Sequence, residues 1–216
     1  MKTSLSSLIL LACLGLVGCP AAVIPLQYPT HPQAVPAVAR LLSDDPVLAQ
    51  EAKVEVESLG EGASPELLRA MRGASSEGKI RLLDAATKIG KPPAVIAEIY
   101  QQAVRDNDEK VRQSAAFHAS RAPSLGKQTG PAIHFLLSDR VPEVKAAAIT
   151  SLAALGSPEL LSNQELLSLI DDPNPLVSAT AVSVALSRGD PSFSLDRKST
   201  RLNSSHTDIS RMPSSA

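Results

Sequence analysis

Phe135-Leu136-Leu137-Ser138-Asp139-Arg140-Val141-Pro142-Glu143-Val144-Lys145-Ala146-Ala147-Ala148-Ile149-Thr150-Ser151-Leu152-Ala153-Ala154-Leu155-Gly156 is the stretch whose reading decides the fold. A helix ends near Ser138, Asp139 opens a turn, and Pro142 stands in the first turn of a second helix, where its missing amide hydrogen is no loss. Val144, Ala147, Ala148, Leu152 and Leu155 then fall on one face at helical spacing. Gly156 stops the helix as a left-handed cap. A unit of this kind cannot bury its apolar face alone and must stack on neighbours.

Weaker copies flank it. Leu41-Leu42-Ser43-Asp44-Asp45-Pro46 leads to Ala52 and Leu59-Gly60. Leu67-Leu68-Arg69-Ala70-Met71 leads through Lys79-Ile80-Arg81 to Ile89-Gly90, with Ser75-Ser76-Glu77-Gly78 where the Asp turn is expected. Ala103-Val104-Arg105-Asp106 leads to Ala115, Ala116 and Gly126, and Leu169-Ile170-Asp171-Asp172-Pro173 leads to Ala181, Val184 and Gly189. The closing glycines Gly60, Gly90, Gly126, Gly156 and Gly189 recur every 30 to 36 residues or so, a solenoid period. The pattern predicts an all-α, right-handed α-solenoid of about five antiparallel helix pairs over residues 37–191, helical from about Val38 to Arg188. Aromatics make up only 2% of the chain, so alanine and leucine do the packing. Period-2 apolar runs with frequent turns, the mark of an all-β fold, are missing.

The motif "apolar helix, Asp turn, Val-Lys/Arg-x-x-Ala-Ala, Leu, Gly" resembles the HEAT repeat. Its short period is similar to the bacterial, phycobilisome-lyase-like variety. The resemblance covers about Pro36 to Gly189 and is strongest in the fourth copy. It implies that the second helix of each unit lines a concave face. Arg81, Lys110, Arg112 and Lys145 recur on that helix and by this resemblance would contact an acidic protein partner. The other reading is a solvated face pairing with Glu109 and Glu143, worth little energetically.

The N-terminus reads as an address. One charge at Lys2 precedes an apolar run from Leu8 to Val17, too short for a permanent span of about 20 residues but suited to a secretory signal. Leu16-Val17-Gly18-Cys19 resembles the lipobox of bacterial lipoproteins. That resemblance implies cleavage after residue 18, a diacylglycerol on the Cys19 thiol, and a membrane-tethered envelope protein. Pro20 is not the Asp that marks inner-membrane retention, so the outer membrane is favoured. Cys13 leaves with residues 1–18, so a mature chain has no disulfide framework and no cysteine-based metal site. Pro20, Pro25, Pro29, Pro32 and Pro36 predict an extended tether over residues 19–36.

The other end departs from the repeat. Asp196-Arg197-Lys198-Ser199-Thr200-Arg201-Leu202-Asn203-Ser204-Ser205-His206, with Ser210-Arg211-Met212-Pro213-Ser214-Ser215-Ala216, resembles the conceptual translation of a sequencing adapter. Residues 192–216 are therefore expected to be the end of the native sequence plus an unstructured tail, and the Asn203-Ser204-Ser205 sequon carries no meaning. The chain has 21 basic and 22 acidic residues. Without Lys2 and the charges from residue 196 onward, the body has a net charge of about −4, which suits a soluble domain and not nucleic acid.

No familiar chemistry stands out. Ser76-Glu77-Gly78-Lys79 and Ser124-Leu125-Gly126-Lys127 match a Ser-x-x-Lys spacing, but through glycines in expected loops and without companion motifs. Asp44-Asp45 and Asp171-Asp172 sit at one repeat position before proline turns, where Asp caps the next helix. His118 and His134, on neighbouring helices, lack a third metal ligand. No metal and no cofactor are expected. The sequence reading is thus a protein-protein interaction scaffold that catalyses nothing. Its alternatives are an accessory, lyase-like or chaperone role, as in the HEAT-like proteins that attach chromophores to cysteines, or a fragment of a larger multidomain lipoprotein.

Overall fold

A computed structural model describes residues 29–157 and 159–189. Ten α-helices and no strand occur among them: α1 (Ala34–Leu41), α2 (Pro46–Leu59), α3 (Ser64–Ala70), α4 (Ser76–Ile89), α5 (Pro93–Ala103), α6 (Glu109–Ser120), α7 (Gly126–Phe135), α8 (Pro142–Ala154), α9 (Asn163–Ile170) and α10 (Pro175–Arg188). Consecutive helices pair, and the pairs stack in two layers. α3, α5 and α7 pack in order on one side, and α2, α4, α6, α8 and α10 pack in order on the other. One continuous apolar cluster runs through the stack from Ala34 to Ala185.

Local chemistry sets the boundaries. Asp45, Ser75, Asp108, Ser162 and Asn174 each accept a hydrogen bond from an amide in the first turn of the helix they precede, which satisfies donors that the helix itself leaves unpaired. Pro46, Pro65, Pro93, Pro142 and Pro175 occupy first turns. Gly156 has φ 69° and Gly189 has φ 61°, the left-handed conformation that lets the chain turn back. Ser75 supplies the cap in the second unit, so that unit starts its helix without the Asp turn.

Five expectations need correction. Helix α1 begins at Ala34, and Ala34 is fully buried, so the stretch expected to be extended turns helical before it ends at Pro36; burial of Ala34, Ala37 and Val38 outweighs the extended bias of Pro36. Gly126 does not close its unit. Its φ is −56° and it opens α7, where a Cβ would stand in ordinary van der Waals contact with Leu155 at 3.5 Å, so neither backbone nor packing demands a glycine there. Asn174, and neither Asp171 nor Asp172, caps α10. Ser76 to Lys79 form the first turn of α4 and are no loop. On α8, Val144, Ala148 and Leu152 are buried as expected, but Leu155 is only half-buried at the helix end.

Candidate partner-binding site

The repeat frame places one ion pair at the same point of three successive units. Lys79, Arg112 and Lys145 are spaced 33 residues apart, as are Asp106, Asp139 and Asp172. Lys79 Nζ lies 2.7 Å from Asp106, Arg112 Nε 2.6 Å from Asp139, and Lys145 Nζ 2.9 Å from Asp172. The other oxygen of each carboxylate accepts an amide two residues on, from Asp108, Val141 and Asn174 respectively, at 2.9 Å in all three. Each aspartate therefore folds its own turn and staples it to the preceding unit. Arg112 is the most committed cation: besides Asp139 it donates to the Asp106 and Asn107 carbonyls at 2.9 and 3.1 Å. Burial raises the Asp139 carboxyl, but the Arg112 guanidinium and the Val141 amide outweigh it and hold it below the usual carboxylate range. Lys145 and the Asn174 amide do the same to Asp172.

These contacts redistribute the four cations singled out in the sequence. Arg112 and Lys145 face the next repeat turn and not Glu109 or Glu143. Arg81 sits two residues out of register with the staples, donating to the Leu41 and Ser43 carbonyls at 3.3 and 2.6 Å and pairing with Glu77 at 2.5 Å. It closes the end of α1. Lys110 alone of the four is exposed, and it lines a groove.

That groove has a volume of about 640 Å³ and crosses α6 and α8, reaching Ile80 on α4 and Leu176 on α10. Phe117 is 53% exposed within it, with the Arg121 guanidinium 5.4 Å from its ring centroid, a cation–π distance. Ala146, Ala147 and Leu176 extend the apolar surface, while Lys110 and Glu143 bring opposite charges to it. Ser151 also lines it, and its Oγ is buried with no hydrogen-bond partner among the described residues. An aromatic residue left open in a chain so poor in them is what a partner anchor requires. Sequence reasoning missed Phe117, although its place on an otherwise polar helix face was visible.

The histidines do not meet. His118 faces Asp84 at 3.6 Å, and His134 bonds to Glu165 at 2.7 Å. Ser162, through its hydroxyl and then its amide, holds the Glu165 carboxyl down to about 2, with His134 contributing less. The lysine of Ser76-Glu77-Gly78-Lys79 is taken by Asp106, so no nucleophile–base pair forms there. Among the described residues no helix is long and apolar enough to cross a membrane. Cys19 lies outside the described residues, as do the signal and adapter-like segments.

No protein-family profile matches the chain, and no curated protein does. Among solved structures, it is similar to the complex of CpcE and CpcF of phycocyanin lyase from Nostoc sp. PCC7120, with a TM-score of 0.56 and 20% identity over 71% of this chain and 98% of that one. The chain has a HEAT-like fold. At this identity the likeness is one of architecture. It overturns the expectation of a chain that catalyses nothing, which rested on the solenoid fold and the lack of a familiar motif. A phycocyanin lyase has this same fold, so the solenoid does not mark a non-enzyme.

Proposed function

We propose that the chain is a HEAT-like protein of lyase type, which grips a protein partner in its α6–α8 groove while a group is attached to or removed from that partner. The groove with Phe117 open in it carries this reading, because it is an apolar surface flanked by unlike charges on the layer that HEAT-like solenoids use for binding. The similar solved structure, itself a complex of two proteins named as a lyase, supports it. Lys110 is the cation of the groove that meets the partner; Arg81, Arg112 and Lys145 hold the surface in shape. The lipobox-like Leu16-Val17-Gly18-Cys19 supports a lipid tether through Cys19, which would hold this activity at an envelope membrane.

A photo-cross-linking residue at Gln113, inside the groove, should trap one discrete protein, and the same residue at Lys127, exposed on α7, should not. Phe117→Asp should lower the yield several-fold. The trapped protein should then change in mass when the chain is deleted from the cell. An unchanged mass removes the lyase-type reading, and equal adducts from Gln113 and Lys127 remove the groove.

A further inference from the structure

A second pocket, of about 320 Å³, opens on the same layer between α2, α4 and α6. Leu41, Pro46, Ala49 and Ile80 give it apolar walls, and Lys53, Asp84 and His118 meet along it. Asp84 ties the three helices together. Its Oδ2 lies 2.6 Å from Lys53 Nζ and 3.7 Å from Lys88 Nζ, and its Oδ1 faces His118 Nδ1 at 3.6 Å. The His118 side chain is 12% exposed, and none of the described residues hydrogen-bonds its Nε2.

The repeat frame shows how out of place this cluster is. The position of His118 is held in the flanking units by Ala85, Ser151 and Val184, all buried. The position of Asp84 is held by Phe117, Thr150 and Ser183. Packing asks for a small or apolar residue at the first of these, and no stapling contact runs through either. Departures from a pattern that is otherwise consistent concentrate where function does.

We propose that this pocket is a proton-transfer site for a small apolar ligand, with His118 Nε2 as general base and Asp84 as the positioning residue that holds the ring through Nδ1. The proton leaves the ligand for Nε2, Nδ1–H stays directed at Asp84, and the carboxylate stabilises the resulting imidazolium. The 3.6 Å separation is a short closure from a hydrogen bond, and such contacts are looser before a ligand binds. Burial raises the Asp84 carboxyl, but Lys53, then Lys88 and His118, outweigh it and keep it ionised. Burial lowers the His118 imidazole; Asp84 opposes this, and Arg121, Lys53 and Lys88 reinforce it, so the ring is neutral at pH 7. Arg81 lines the same pocket but is spent on carbonyls and Glu77. A pocket of this size accommodates a small molecule, and the inference does not depend on the partner groove.

The test uses the full chain and 5-nitrobenzisoxazole, whose ring opens when a base removes the C3 proton. The N–O bond then breaks to give coloured 2-cyano-4-nitrophenolate, with no co-reactant. The rate should saturate with substrate and exceed that of His118→Gln and His118→Asn on the order of ten-fold or more. It should rise with pH to a plateau, with a midpoint below the ordinary imidazole value of about 6.5. Asp84→Asn should move that midpoint lower still, since the carboxylate raises it, and should shift the neutral-ring proton off Nδ1; an Asp84 that only pairs with Lys53 would leave the tautomer in place. His118 variants that melt like the wild type yet keep its rate overturn the proposal, and so does an unmoved midpoint or an unmoved tautomer in Asp84→Asn. Should the His118 variants unfold, long-range proton–nitrogen correlation on the wild type decides: a proton on Nδ1 at pH 7 supports the proposal and a proton on Nε2 sinks it.

Discussion

Arg112 shows how one residue can look like a binding determinant and act as a structural one. Its side chain and that of Asp139 are 8% and 7% exposed, so removing either partner strands a charge where water barely reaches. Asp139→Asn should destabilise the fold by about 3 kcal/mol, the usual scale for breaking a buried pair from one side. Asparagine can still accept the Val141 amide, so the loss measures the pair and not the turn. The pH dependence follows from the lowered carboxyls of Asp139 and Asp172. A group whose pKa is depressed by folding contributes stability that is complete above its unfolded value, about 3.9 for Asp, and is lost as pH falls through the folded value. Denaturant melts between pH 5 and 2 should therefore show stability falling below about pH 4, and falling less steeply in Asp139→Asn. A variant whose acid limb matches the wild type would show that Asp139 carries none of this linkage.

Helix α8 carries the same lesson one scale up. Val144, Ala146, Ala148, Ile149, Ser151 and Leu152 are buried around most of its circumference because α6, α7 and α10 all pack on it. Leu152→Asp should abolish the cooperative thermal transition, since it puts an unpaired carboxylate at a fully buried position; a melting temperature unchanged from the wild type would contradict this packing. Helices α8 and α10 were legible in the sequence because Pro142 and Pro175 start them and Gly156 and Gly189 stop them, all local signals. Gly126 misled because a glycine can also sit in a helix with ordinary backbone angles, and only its φ of −56° tells that from a left-handed cap. The staples were illegible for a different reason. Their partners stand 27 residues apart, and nothing local says that a lysine at one turn answers an aspartate in the next unit. The His118–Asp84 contact escaped the periodic reading because it occurs once, and Phe117 because the groove it opens into is built by helices of separate units.

For the molecule as a whole, the proposed tether and the solenoid make separable predictions. Cys19→Ser should release the chain from the membrane fraction, because acyl chains are the anchor proposed; sedimentation with membranes after a carbonate wash would exclude that anchor. The stack itself should be least stable at its last described pair. A solenoid gains stability from nearest-neighbour interfaces, so a unit with one neighbour opens before a unit with two. α8 is held between α6 and α10, whereas α10 packs on α8 and α9 and leaves Leu186 64% exposed, beside Leu167 at 45% on α9. Amides of α10 should therefore exchange with solvent faster than those of α8. The gradient should survive Asp139→Asn, which weakens the stack one unit earlier, and should be abolished by anything that covers the exposed leucines. Equal protection of α10 and α8 in the isolated chain would mean that another surface already packs on Leu167 and Leu186.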